Sequence, residues 1–528
     1  MFVGNRSSPS GSQILPSLKQ ATALLDTFIT NVDPVVKLLH IPSLRQRIGN
    51  LFSVPGSGAE QGPLDVLVAA VFFASTTSMT EEECHIHLQV PRKTALSSFR
   101  FAVEDGLARA NFVGRAEIAT LQALVLFLAC LPSTDKSKAP WTMVAVAVRL
   151  AHMLNLHRDG QGLQYTPFEA EIRRRLWWQI VLLDMRVSED WGSDFMIPEG
   201  SYNTYVPTNI NDSDMERSAT STYLDRKGIT QMTFGLIFSE ASKLVKLFQV
   251  PLDEQKTRNL QERLDIVYRC QKELNENFFP HYNSDVPISW ATHTIGRLII
   301  YKAWLMVYYP MSPEDWTATD ATVRREDLIT TSIMILELSY KLESNEDVKQ
   351  WWWMFQTYVQ WHALAVTLVE LCVQKPSPLM DKAWKIIDTV FDLWSRRVVD
   401  SSAGFVWLPI KKLYAKAQEV RMSGTSNLPL APGLHDPSST LPDVPQNYYN
   451  NVDHTNAVQD RMVATKPHEI SSMSYDPVQT DFSTSIFNMS GWDFDPFTHD
   501  DPMTQANWAG WDGCLQDVSS LPDLGFMP

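Results

Sequence analysis

The chain has 528 residues, 44% hydrophobic and 20% charged, with a formal net charge of −15. That is the composition of a globular protein large enough for one big core or two closely packed ones. Its best apolar runs, residues 66–74 and 124–131, fall well short of the ~18–20 residues needed to cross a bilayer. The start from Met1 to Pro16 has no apolar stretch of the signal-peptide kind, so no membrane span and an intracellular location are expected.

From Leu18 the chain reads as helix after helix. Leu18, Ala21, Leu25 and Phe28 recur at three- and four-residue steps, the stripe of an amphipathic helix that Pro34 ends. Helices are predicted next over 65–75, 93–110 and 116–131. After a polar loop at 133–138, Trp141 opens another, with Met143, Ala147, Leu150 and Leu154 on one side. Val144, Val148 and Ala151 widen that stripe, so most of this helix must be buried. It is expected to end at Asn155-Leu156-His157-Arg158-Asp159-Gly160, with Gly160 supplying a left-handed turn.

Thr166-Pro167-Phe168-Glu169 then has the form of a capping box. Glu169 and Glu171 precede Arg173 and Arg175 by four residues, the favourable order for helix-surface ion pairs. Ile172, Leu176, Ile180 and Leu183 form the buried stripe, with Trp177 and Trp178 beside it. About a dozen to fifteen helices are expected up to Met422, broken by Pro/Gly/Ser stretches such as 53–63, 192–207 and 374–378. No fixed-period repeat is evident.

Composition changes near Ser423. Residues 431–528 hold ten of the 31 prolines and 14 acidic residues, against only Arg461 and Lys466, which gives −12. The remaining residues come to −3, so the tail owns the charge, and neither part offers the basic stripe of a nucleic-acid surface. After Lys466, aspartates and one glutamate are interleaved with Phe482, Phe487, Trp492, Phe494, Phe497, Trp508 and Trp511. Such a segment cannot build its own core and is expected to be disordered, with its aromatic residues available to an apolar groove on a partner.

Other clusters have plainer readings. Cys84, Cys130, Cys270, Cys372 and Cys514 are too scattered for a zinc knuckle and suit reduced, buried thiols. Cys84-His85-Ile86-His87 lies too close together in sequence for one tetrahedral ion and fits a helix start after Thr80. His152 and His157 are five apart and read as structural. His157-Arg158-Asp159 lacks the continuation of a kinase catalytic loop; Arg158 and Asp159 are expected to pin the helix end, to Arg173–Arg175 or to Asp184. The triplet Arg173-Arg174-Arg175 reads as ion-paired rather than as an import signal. Asp212-Ser213-Asp214 and Asp500-Asp501 are the nearest approach to a magnesium-binding aspartate motif. Aromatic residues such as Trp304, Tyr308, Tyr309, Trp351, Trp352, Trp353 and Trp361 suit core positions, with a small-molecule pocket as the alternative. No catalytic, cofactor or metal residues are assigned.

Three ordered blocks resemble the middle homology region of the fungal zinc binuclear cluster transcription factors. They are Thr120-Leu121-Gln122-Ala123-Leu124; Ala147-Val148-Arg149-Leu150-Ala151 running to Leu156-His157-Arg158-Asp159; and Glu171-Ile172-Arg173-Arg174-Arg175-Leu176-Trp177-Trp178 with Asp184. A weaker match covers residues 21–44, with Val32-Asp33-Pro34 and His40-Ile41-Pro42-Ser43. Where the family has Asp-Arg and then Gly-Arg-Pro, this chain has Asp184-Met185 and Gly192-Ser193-Asp194.

The resemblance implies an all-α fold: a lead-in at 1–15, a regulatory body at 16–422 and an acidic activation tail at 423–528. It implies a nuclear transcription regulator that meets coactivators through the tail. A homo- or heterodimer and a small-molecule effector are both left open. Family members carry six clustered cysteines ahead of this domain, which these five cysteines do not form. DNA contact is therefore expected only indirectly, through a partner or through a zinc cluster lost upstream from the gene model. The alternative is an all-α enzyme acting on a small hydrophobic metabolite.

Overall fold

The computed structural model describes residues 15–52, 64–135, 137, 139–163, 165–191, 195–248, 260–308, 318–398 and 404–425. Among these the regular structure is helical, with no strand. The activation tail expected at 423–528 lies outside the described residues apart from its first three.

The first group of helices is α1 (Leu18–Thr27), α2 (Ile41–Phe52), α3 (Val66–Ser78), α4 (Glu81–Leu88), α5 (Arg92–Arg109) and α6 (Ile118–Cys130). The hub is α3, buried without a break from Leu67 to Thr77. Asp65 caps it, accepting from the amides of Leu67 and Val68, both at 3.1 Å, while also pairing with Arg47. Its polar end stays dry because Ser75, Thr76 and Thr77 donate back to the carbonyls of Val71, Phe72 and Phe73. The stripe predicted for α1 is buried at Ala21, Leu25 and Phe28, but Leu18 at the first position is exposed.

Beyond Thr27 the chain does not stop at once. Phe28–Val32 forms one π-helical turn, closed by the Asp33 amide on the Phe28 carbonyl. The wider turn turns two carbonyls outward, and the indole N–H groups of Trp351 and Trp353 donate to Thr30 and Asn31 at 3.3 and 3.0 Å.

Next come α7 (Ala139–Met153) and the long α8 (Pro167–Trp191), which pack against each other and on α6. After them follow α9 (Thr233–Phe248), α10 (Leu260–Asn277), α11 (Pro287–Tyr308), α12 (Ala318–Ser344), α13 (Trp352–Phe355), α14 (Trp361–Val373), α15 (Pro378–Val398) and α16 (Gly404–Thr425). Two hydrophobic cores result. The larger spans α1 to α11 and takes in Leu338 and Leu342 of α12 and Trp351–Phe355. The smaller is made by α14, α15 and α16 with Leu305 of α11 and Leu328–Leu336 of α12, and Tyr301 packs against both.

One local reading is corrected. The left-handed residue after α7 is Asn155, at φ 56, and not Gly160. Asn tolerates that conformation through its short polar side chain. Gly160 serves a different purpose: a Cβ there would lie 2.9 Å from both Cα and Cβ of Ala170, so α8 could not approach as closely.

Candidate functional site

The signature blocks converge on α8 and on the chain that follows it. At its start Thr166 and Glu169 form the predicted capping box: the Thr166 amide donates to Glu169 at 3.0 Å, and the Glu169 amide donates to the Thr166 hydroxyl at 3.2 Å. Between α8 and α9, residues 195–232 run with only one short helical turn, Asp212–Asp214. We call this segment the strap. Thr204, Thr208, Asn209, Ile210, Asp212 and Met215 of the strap are buried, so its backbone needs partners away from water.

Carboxylates of the signature blocks supply them. Asp184 accepts from the amides of Met196 at 3.1 Å and Ile197 at 3.0 Å. Glu171 accepts from the amide and hydroxyl of Thr208 at 3.1 and 2.9 Å. Asp159 accepts from the Tyr205 amide at 3.1 Å, while the Trp178 indole donates to the Tyr205 carbonyl at 2.7 Å. The His157 and Leu156 carbonyls take the Asn203 amide and the Thr204 hydroxyl.

Beneath the strap lies a knot of buried charges. Arg175 donates to Asp212 at 2.7 Å and to Glu171 at 3.3 Å. The Lys37 ammonium sits between Asp33 and Asp212, 2.7 Å from each. Asp212 also accepts the Ile41 amide at 2.8 Å, and its carbonyl lies 3.1 Å from Nε2 of His40. Arg174 grips Asp159 with two hydrogen bonds of 2.8 and 2.9 Å. Every one of these charged side chains belongs to a residue no more than 8% exposed. Burial raises the Asp212 carboxyl, but Lys37 and Arg175 outweigh it and hold it below the usual carboxylate range. Asp33 goes the other way: burial pushes it up to about 6 in spite of Lys37. The Glu171–Arg175 pair, expected on the helix surface, is therefore an interior contact.

A second cluster flanks the knot. The rings of His152 and His157 are 4.4 Å apart, and Trp177 lies between His152 and Tyr202 at 5.8 and 5.5 Å. Burial holds both imidazoles below their ordinary value, with Arg149 acting on His152 and with His152 and Arg158 acting on His157. Arg173 donates to the Leu154 carbonyl at 2.8 Å and stacks on Tyr165. Gln122 is buried in α6, whereas Arg149 and Arg158 are exposed and stand outside the knot. Phe482, Phe487, Trp492, Phe494, Phe497, Trp508 and Trp511 lie outside the described residues.

Sequence reading quoted Asp33 only within the weaker match and missed Lys37; the two pair across the turn that follows the π turn, where no helical periodicity signals the contact. That reading saw Asp212 only as a rejected metal motif. Among the described residues no group of three or more His, Cys, Asp or Glu side chains could hold a metal ion. Around Asp33 and Asp212, Lys37 and Arg175 fill the positions a cation would take. Chemically the arrangement is a clamp whose charges face one another, fastening the strap to α8 and to the α1–α2 corner.

The sequence pattern of the fungal specific transcription factor domain matches residues 25–352, a span that holds the knot, the strap and the π turn. The chain belongs to that family. Among its relatives, the aurofusarin cluster transcription factor aurR2 of Gibberella zeae is 26% identical over 74% of this chain and 59% of its own length. The C6 finger domain transcription factor nscR of Aspergillus fumigatus is 26% identical over 79% of this chain and 55% of its own. The pyriculol/pyriculariol biosynthesis cluster transcription factor 1 of Pyricularia oryzae is 26% identical over 74% and 54%. The chain thus spans somewhat over half the length of these relatives. In this fungal transcription factor domain the signature residues act mainly as fasteners of the strap.

Proposed function

We propose that this chain regulates transcription in the nucleus, controlling a fungal biosynthetic gene set. The observation that carries the reading is the family match over residues 25–352. The printed names of two relatives, for the aurofusarin and pyriculol/pyriculariol clusters, support a biosynthetic target. In this reading the helical body is the control domain, and residues 423–528 recruit coactivators through aromatic side chains interleaved with aspartates. The five cysteines are too scattered for a zinc cluster, so DNA contact comes from a cluster upstream of these residues or from a partner.

The test is a tethered reporter assay. Residues 423–528 and the full chain are each fused to a heterologous DNA-binding domain. The tail fusion is expected to activate, and replacing Trp492, Phe494 and Phe497 by Ala to remove most of the signal. Silence of a well-expressed tail fusion overturns the activation role.

A further inference from the structure

The buried charges of the knot do not balance. Asp33, Asp159, Glu171 and Asp212 face Lys37, Arg174 and Arg175: four carboxylates and three cations, all withdrawn from water. Arg174 is committed to Asp159 by two hydrogen bonds. Arg175 divides itself between Glu171 and Asp212, and Lys37 between Asp212 and Asp33. The oxygens of Asp212 are met by Arg175, Lys37 and the Ile41 amide. Asp33 has the poorest set: one oxygen touches the shared lysine, and the other, Oδ1, is buried with no hydrogen-bond partner. The surplus negative charge therefore falls on Asp33.

We propose that Asp33 is a proton-binding site, and that taking up this proton in mildly acidic solution neutralises the knot and strengthens the docking of the strap on the α1–α2 corner. An unpaired buried charge is expensive, and a group so placed relieves the penalty by changing its protonation state. The groups that face Asp33 leave it as the acceptor. Lys37 on its own segment and Arg175 from α8 favour the carboxylate, while Asp212 from the strap opposes it and burial outweighs them all. His40 could balance the charge instead, but burial comes first and Arg175 and Lys37 add to it, holding the imidazole below its ordinary value against the pull of Asp212.

The sign follows from linkage. A carboxyl whose folded value lies above its unfolded one contributes stability that is complete below about pH 4 and is lost as pH rises through about 6. The histidines that burial depresses, His293 and His362 among them, act in the opposite direction. The wild-type pH profile alone therefore mixes the two.

The experiment compares the folding constant of the full-length protein with that of Asp33→Asn from pH 7.5 to pH 5. Asn keeps an acceptor for Lys37 and cannot titrate. The ratio of wild type to variant is expected to rise about tenfold over that interval. A ratio that stays flat overturns the proposal. Should the variant fail to fold, infrared difference spectra of wild-type protein carrying isotope-labelled aspartate decide the matter. A protonated-aspartate band with a midpoint near 6 supports the proposal, and its absence down to pH 5 refutes it; the aspartate label keeps Glu343, which burial also raises, out of the signal.

Discussion

Arg175 and Asp212, 37 residues apart, meet at 2.7 Å with the arginine wholly buried, and this contact ties α8 to the strap. Removing one partner leaves the other charge with a single, shared counter-ion in the interior. Arg175→Ala is expected to destabilise the larger core by about 3–5 kcal/mol, since Glu171 loses its near cation and Asp212 is left with only the Lys37 it shares with Asp33. Asp212→Ala leaves Lys37 to Asp33 and Arg175 to Glu171 and should cost less, about 1–3 kcal/mol, chiefly because the buried Ile41 amide loses its acceptor. Thermal and denaturant unfolding of the full chain measure both losses. A loss below about 1 kcal/mol would mean that the knot is open to water.

Asp184 tests the strap more gently. Its carboxylate holds two adjacent amides, those of Met196 and Ile197. Asp184→Asn turns one acceptor into a donor facing an N–H group, and should destabilise by about 1–3 kcal/mol. Hydrogen exchange at residues 196 and 197 should quicken, while amides in α3 keep their protection. Uniform quickening across the body would show that Asp184 supports the core as a whole.

Gly160 is a packing prediction. Its missing side chain lets Ala170 of α8 sit against the turn. Gly160→Ala should destabilise by about 1–3 kcal/mol through overpacking, and adding Ala170→Gly should recover part of that loss. Two independent, additive losses would exclude the contact as the cause.

The imidazole of His293, stacked on Tyr282 at 4.3 Å, is lowered to about 4, first by burial and then by Arg297. A group depressed in this way contributes stability above about pH 6.5 that is lost as pH falls toward its folded value. Because the ring is only half-buried, the loss between pH 7 and pH 5 should be about 1 kcal/mol after allowance for solvent screening. His293→Phe, which keeps the stack, should flatten that part of the acid profile. An unchanged slope would assign the acid sensitivity elsewhere.

Much of the fold was legible because the apolar stripes are regular. Thr166 and the run from Met143 to Ala151 behave as their patterns predict, since capping and helical periodicity are local effects. The knot was not legible, because its meaning is tertiary. Lys37 and Asp212 lie 175 residues apart, and nothing in either local sequence announces the other. Of the three arginines read as ion-paired, Arg174 and Arg175 are so and are buried by a strap with no periodicity to read, whereas Arg173 donates to the Leu154 carbonyl and Glu169 stays with Thr166. Gly160 was misjudged for a related reason: a glycine before a helix suits either a left-handed turn or a close approach, and only the position of Ala170 decides between them.

The indoles of Trp351 and Trp353 bond to carbonyls 321 and 322 residues earlier. On a ribosome adding about 5–20 residues per second, Thr30 waits roughly 15–65 s for its partner to be synthesised. Throughout that interval the larger core lacks Trp351–Phe355, and apolar faces of the earliest helices stay uncovered. So distant a closure makes folding slow and late. Nascent chains ending before residue 350 are therefore expected to depend on chaperones, and premature termination there should yield aggregates rather than a working fragment.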